Sequence, residues 1–251
     1  MSLTINMDKT KYMPFTCNAC CLPSYNQLTI ATRGHHYALE SVAEIKYLGV
    51  YIDNHLKWEY HKNYTIKKLQ GILYKFKYLK KHLPVQNLIT LYYALVESHL
   101  RYGIVIWGSA LRCHLKALET IQKRFLKIIF SRDFRYPSNL LYSEGKILDL
   151  RQLYFYCSVQ KYKFTTKEPN LLFHYYNTRN RNLHHLPQVG KSLTQRSFAY
   201  LAPKMYNQLP ESIKNLIHKS TFKIQIKNLL FNTSRQIIND LIESKILTVK
   251  L

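Results

Sequence analysis

Two rhythms of hydrophobic and polar positions run along the chain. Across residues 3–53, three short β-prone stretches at 11–15, 27–31 and 44–52 are separated by turn-like residues and predict strands. Over about residues 55–131 the spacing becomes helical, in three segments. The first segment sets Leu69, Leu73, Phe76 and Leu83 on one face. The second begins after Pro84, suited to a first helical turn, and aligns Leu88, Leu91, Tyr92 and Leu95. The third aligns Leu111, Leu115, Leu118, Phe125 and Ile129, with Gln122 inside the stripe and expected to be satisfied by a buried hydrogen bond. Three amphipathic helices with short turns predict a bundle that buries these faces together.

Beyond residue 133 further helix follows, with Leu148, Leu150, Leu153 and Phe155 as apolar content. The stretch 165–190 is polar, rich in Asn and His and broken by Pro169 and Pro187, and reads as a linker. The tail returns to short helices around Pro203 and Pro210 and a helix near 220–231. The expected fold is therefore mostly α with a small N-terminal β region. Its parts are strands (1–54), a helical bundle (55–132), following helices (133–164), a polar linker (165–196) and a C-terminal helical segment (197–251).

Charge changes this picture most. With 37 Lys/Arg against 14 Asp/Glu, the 251-residue chain carries a formal net charge of +23. Such a chain repels itself, and a polyanion relieves the repulsion. Tyrosine, present 21 times, adds flat faces on which bases stack while Lys and Arg hold phosphates. On composition alone nucleic acid, an acidic protein and an anionic membrane surface all stay open. Hydrophobic residues at 47% exclude a disordered tail. No apolar run reaches membrane-spanning length. The five cysteines (Cys17, Cys20, Cys21, Cys113 and Cys157) are odd in number with no secretory segment before them, which predicts free thiols in a nuclear or cytoplasmic protein.

The cations are arranged as well as abundant. On a helical wheel Lys67, Lys68, Lys75 and Lys81 fall opposite the Leu69/Leu73/Phe76 stripe. Lys116, Lys123, Arg124 and Lys127 share an arc opposite Leu115 and Leu118. Two cationic stripes on one bundle suit a phosphate backbone, and such contacts are sequence-tolerant. The tempting alternatives are weaker. Cys17, Cys20 and Cys21 with His35 and His36 lack a closed four-ligand pattern and read as ordinary thiols. His99 reads as a core histidine, and Trp58 and Trp107 as core anchors. None of the glycines forms a phosphate-cradling pattern, so neither a small-molecule ligand nor a metal or other cofactor is expected.

Taken in order, these residues resemble a known family. Leu3-Thr4-Ile5-Asn6-Met7-Asp8-Lys9-Thr10-Lys11, with Met13 and Phe15, resembles motif D of LINE-type (non-LTR, jockey- or CR1-like) retrotransposon reverse transcriptases. Lys46-Tyr47-Leu48-Gly49-Val50-Tyr51-Ile52-Asp53 resembles their motif E, the primer-grip hairpin. Trp58 and His61 are similar to the opening of the thumb. Ser98-His99-Leu100-Arg101-Tyr102-Gly103 and Ile106-Trp107-Gly108 resemble the Tyr-Gly and Trp-Gly signature, and Ile121-Gln122-Lys123-Arg124 the helix after it. Ile147-Leu148-Asp149-Leu150, Arg196-Ser197-Phe198-Ala199-Tyr200 and Tyr206-Asn207-Gln208-Leu209-Pro210 resemble the C-terminal region, with Tyr206 where the family usually has Trp.

The resemblance implies primer-grip and thumb elements, with Tyr47 and Gly49 beside the primer terminus and the bundle along a template–primer duplex of RNA and/or DNA. It also implies that polymerisation needs magnesium held by carboxylates upstream of motif D. The five aspartates here (Asp8, Asp53, Asp133, Asp149 and Asp240) include no adjacent pair. The expectation is a truncated polymerase without activity of its own, in which Lys9, matching the motif D lysine, is a vestigial general acid. The alternatives are a non-enzymatic nucleic-acid-binding protein derived from a thumb module, and a basic scaffold for an acidic protein.

Overall fold

A computed structural model describes residues 5–6, 9–15, 28–32, 35–165 and 183–243. The chain divides into two compact units, Met1–Tyr64 and Thr65–Leu251. As expected, the fold is mostly α with a small N-terminal β region. Among the described residues no helix is long and apolar enough to cross a membrane.

The first unit holds three two-stranded pairings. Strand β1 (Lys11–Tyr12) lies parallel to β4 (Glu40–Ser41), and β2 (Thr29–Thr32) runs antiparallel to β3 (His35–Ala38). Strands β5 (Glu44–Tyr47) and β6 (Val50–Asp53) form a hairpin in register Glu44↔Asp53 to Tyr47↔Val50. Alternation alone predicts one strand over 44–52. Two residues interrupt it, Leu48 (φ 44°) and Gly49 (φ 82°), both left-handed as a two-residue primed turn requires. Gly49 is thus a turn glycine, while Leu48 takes a conformation that disfavours side chains.

Asp53 ends the hairpin and starts the first helix. Its buried carboxylate accepts hydrogen bonds from the backbone N–H of His55 (3.2 Å), Lys57 (2.9 Å) and Trp58 (2.6 Å). These are donors that the entry into α1 (Glu59–Leu79) would otherwise leave unsatisfied. They hold a connection in which Leu56 and Trp58 both have positive φ.

In the second unit the apolar faces converge as the periodicity predicts, with three departures. Leu69, Leu73 and Phe76 of α1 are buried, but Leu83 lies past the helix end. The second helix is α2 (Val85–Leu91), a π-helical stretch over Tyr92–Glu97, and α3 (Ser98–Arg101). The wider π turn shifts the buried face: Val96 and Glu97 are buried and Leu95 is 40% exposed, correcting the 3.6-residue expectation. After the short α4 (Ile104–Trp107), α5 (Arg112–Ile129) buries Leu115, Leu118, Ile121, Gln122, Phe125 and Ile129. Leu111 is the N-cap of α5 and is exposed, so it leaves the stripe. The rings of Phe76 (5.1 Å) and Tyr92 (6.4 Å) meet Phe125 edge-on, tying α1, the π stretch and α5 together.

Helix α6 (Ser138–Gly145) leads into α7 (Leu150–Thr165), which opens with a reciprocal capping box. Asp149 Oδ1 accepts from Gln152 N (2.8 Å), and Gln152 Oε1 accepts from Asp149 N (3.1 Å). Helix α7 is buried on nearly every side, because α4, α9 (Phe198–Asn207), α11 (Lys219–Asn232) and α12 (Arg235–Glu243) all pack on it. The short α8 (Ser192–Gln195) and α10 (Glu211–Lys214) link these pieces, and α12 was not foreseen from the sequence. Much of the expected linker lies outside the described residues. The part that is described is anchored: His184 N donates to Asn207 Oδ1 and Asn207 Nδ2 donates to the His184 carbonyl, both at 2.8 Å. Tyr206 packs its ring against His184 (4.7 Å) and Tyr162 (5.4 Å).

A polar chain crosses this core. Arg235, at the start of α12, pairs with Asp149 (3.0 Å) and lies over the Tyr142 ring (4.1 Å). The Tyr142 hydroxyl donates to Gln122 Oε1 (3.1 Å), and Gln122 Nε2 donates to Tyr92 Oη and the Leu148 carbonyl, each at 2.9 Å. Gln122 is thus satisfied by buried hydrogen bonds, as expected. Burial raises the pKa of Tyr92 and Tyr142, so both remain hydroxyls at neutral pH. Trp107 is the expected core anchor, with Nε1 donating to the Tyr102 carbonyl (2.9 Å).

Candidate nucleic-acid interface

Helix α1 amounts to a buried apolar side and an exposed basic one. Its sequence contains Lys62, Lys67, Lys68, Lys75 and Lys77 against a single acid, Glu59. Lys67, Lys68 and Lys75 are exposed, opposite the buried Leu69, Leu73 and Phe76. Lys81 is exposed too, but it lies in the turn after the last helical residue.

The sequence reading missed two residues on this side. Tyr74 is 78% exposed and Tyr78 64% exposed. At 100° per residue both fall on the arc of Lys67, Gly71 and Lys75. Nothing lies within 4 Å of where a Cβ on Gly71 would sit, so the strip between lysines and tyrosines is open. Rings exposed to this degree gain nothing from the core and offer flat faces beside ammonium groups. The wheel that grouped the lysines already carried the signal; tyrosine was counted in bulk and not placed.

The α5 cations are divided among different surroundings. Lys116 and Arg124 are exposed. Lys127 donates its ammonium to the Phe134 carbonyl and lies 5.0 Å from the Phe134 ring centroid, so it braces the turn after α5. Lys123 is half-buried and opens onto a cavity that it shares with Arg112 and Glu119. The arc is therefore not free of acid. Burial and the neighbouring Asp149 carboxylate raise the Glu119 pKa.

The hairpin carries the remaining candidates. Tyr47 (62% exposed) and Leu48 (74% exposed) project from the tip beside Gly49. Behind them, Lys46 lies 5.7 Å from the Tyr51 ring and 5.1 Å from the Tyr64 ring, a geometry in which the ammonium is held by two π faces. Below these, His61 is buried and accepts from Tyr51 N at 3.5 Å, and burial lowers its pKa to about 4. Lys9 is exposed, with its backbone N–H donating to Asn6 Oδ1 (3.3 Å). Cys17, Cys20 and Cys21 lie outside the described residues. Among the described residues no group of three His, Cys, Asp or Glu side chains is placed to hold a metal ion.

No family model matches the sequence, and no solved structure matches it. The chain is similar to the probable RNA-directed DNA polymerase from transposon X-element of Drosophila melanogaster, at 27% identity over 105 residues. The match takes in 41% of this chain and 12% of that protein's length, so the chain spans a small fraction of the relative. The likeness supports an origin shared with transposon reverse transcriptases.

Proposed function

We propose that this chain is the nucleic-acid-holding C-terminal part of a non-LTR retrotransposon reverse transcriptase, jockey-like, and that it binds template–primer duplexes without extending them. The observation that carries the reading is the α1 strip: exposed Lys67, Lys68 and Lys75 interleaved with exposed Tyr74 and Tyr78, over a buried apolar side. Lysines at these spacings follow a phosphate backbone, and exposed rings take bases or sugars. The likeness to a transposon RNA-directed DNA polymerase and the ordered motifs from Lys9 to Tyr206 support the same reading. In it β5–β6 is the primer grip, with Tyr47 and Gly49 at its tip, and α1 to α5 form the thumb. Lys116, Lys123, Arg124 and Lys127 extend the contact, and Lys9 is a remnant of a general acid. The carboxylates that would hold magnesium for nucleotide addition lie, in this reading, upstream of motif D and outside this sequence.

Fluorescence anisotropy with labelled RNA–DNA and DNA duplexes over a range of KCl tests the assignment. Affinity is expected to fall log-linearly with salt, with a slope of about 0.9 for each phosphate contacted on a B-form duplex. Reversing Lys67, Lys68 and Lys75 to Glu removes up to three contacts and flattens the slope by about 2–3. A slope unchanged by that variant would remove α1 from the interface. Tight binding to an acidic polypeptide with none to duplex would favour the scaffold reading. Primer extension by the purified chain with magnesium or manganese would overturn the non-catalytic assignment.

A further inference from the structure

A cavity of about 990 Å³ opens in the second unit between α5, α6, the start of α7, and the turn joining α11 to α12. Five cations line it: Arg112, Lys123, Lys146, Arg151 and Arg235; its two acids are Glu119 and Asp149. Asp149 is already neutralised by Arg235 at 3.0 Å, and Arg151 pairs with Glu243 at 2.8 Å. Among the described residues Arg112, Lys123 and Lys146 close no ion pair, so three cations face one remaining acid, Glu119.

Two further features belong to the lining. Arg151 is 2% exposed, and its Nε has no hydrogen-bond partner although the other two guanidinium nitrogens reach the Gly108 carbonyl and Glu243. The first turns of α6 and α12 both line the cavity, through Ser138 and Asn139 and through Arg235 and Gln236, and helix N-termini favour anions. Around them stand the amides of Asn228, Asn232 and Asn239, with the Asn239 Oδ1 buried and unpartnered, and the Phe231 ring. Amides match base edges and aromatic rings match base faces.

We infer that this cavity is a binding site for one phosphate-bearing nucleotide, with Arg112, Lys123 and Lys146 on the phosphate and the Asn cluster with Phe231 on the base. The same chemistry comes from a free mononucleotide or from the 5′-phosphorylated end of a single strand. The site is separate from the α1 strip and shares only Lys123 with the wider duplex contact, so the inference stands or falls apart from the template–primer reading.

Titration calorimetry with AMP and with a 5′-phosphorylated and a 5′-hydroxyl oligonucleotide of one sequence distinguishes the two sources. If the strand end is the ligand, the phosphorylated oligonucleotide binds at least tenfold tighter than its hydroxyl twin. If the free nucleotide is the ligand, AMP binds and adenosine does not. Lys123→Ala with Lys146→Ala should weaken that binding at least tenfold. The Lys67, Lys68 and Lys75 to Glu variant should leave the 5′-phosphate preference intact. Ligand protection of Lys123 and Lys146 against acetylation, read by mass spectrometry on the unsubstituted protein, gives a readout independent of variant folding. No phosphate preference in any probe, or no protection of these two lysines, overturns the assignment.

Discussion

Replacing Gln122 by Leu tests whether the buried amide holds the helical unit together. Leucine roughly keeps the side-chain volume and suits the apolar stripe of α5, so a purely hydrophobic account predicts a neutral or stabilising change. The hydrogen bonds predict the opposite. Gln122 Nε2 serves Tyr92 Oη and the Leu148 carbonyl, and Gln122 Oε1 serves the Tyr142 hydroxyl. Tyr92, Tyr142 and Leu148 are 0%, 3% and 4% exposed, so water has little access to the groups left behind. A buried polar group stripped of its partner costs about 1–3 kcal/mol, and three such losses that partly overlap give about 3–5 kcal/mol. That is a large part of the roughly 5–15 kcal/mol typical of a domain. Urea unfolding followed by far-ultraviolet circular dichroism should show a lower midpoint at an unchanged m value. Adding Tyr92→Phe and Tyr142→Phe to Gln122→Leu removes two of the three stranded groups and should recover about 2 kcal/mol. A single variant within 1 kcal/mol of the parent (about the net worth of one hydrogen bond), or a triple variant no more stable than the single, would refute the reasoning.

Further outcomes follow from other sites. Gly108→Ala would place a Cβ 2.5 Å from the Ile104 carbonyl oxygen and 2.6 Å from the Tyr154 ring. Backbone cannot swing aside, so a loss of about 1–3 kcal/mol is expected in the same urea assay, and an unchanged midpoint counts against the packing of α4 on α7. Because the folded pKa of His61, about 4, lies below its ordinary 6.5, the unfolded state takes the proton first as pH falls. The stability this neutral ring provides is full above pH 6.5 and declines toward pH 4, by about 3 kcal/mol at most. An NMR titration of the His61 ring that turns at pH 6.5 would contradict this. Saturating duplex, at a hundredfold excess over Kd, should add about 2.7 kcal/mol, or roughly 5–10 °C of Tm for a chain this size. A melt unmoved by duplex speaks against binding to the folded state.

Local rules made much of this fold legible. The helical stripes of α1 and α5 held because Leu69, Phe76, Leu118 and Phe125 sit at spacings that burial on one side demands. The turn at Leu48 and Gly49 was not legible in the same way, because alternation runs through 44–52 as one strand and the positive φ of both residues appears only in the folded hairpin. What was hidden depends on contacts distant in sequence. The π stretch at Tyr92–Glu97 moves Val96 and Glu97 inward, and composition at those positions does not announce it. The all-round burial of α7 comes from α9, α11 and α12, which arrive after residue 197, and no periodicity encodes such a meeting. For the candidate interface, lysine was legible and tyrosine was not, since an aromatic residue looks alike in a core and on a surface until exposure is known. The cavity was invisible for the same reason: Lys123, Asp149 and Arg235 are far apart in the chain.

The distribution of acids explains why the basic excess ends up outside. Glu97 pairs with Arg101, Glu144 with Arg132, Glu211 with Lys214, Glu243 with Arg151 and Asp149 with Arg235. Asp53 binds three backbone donors at the entry to α1. These six carboxylates are thus engaged within the helical framework and at the entry to α1, and α1 itself contains only Glu59 near its start. Among the described residues Lys67 and Lys75, on the outer side of α1, close no ion pair that would compete with an external polyanion. Weakly held surface cations lose little on meeting phosphate and release the phosphate's counterions, which is favourable. Had the same lysines been matched by glutamates four residues away, as solvated helices often are, each would have to give up a pair before binding. The scarcity of acids on α1, more than the abundance of lysine in the chain, makes that helix the surface on which a nucleic acid is expected to lie.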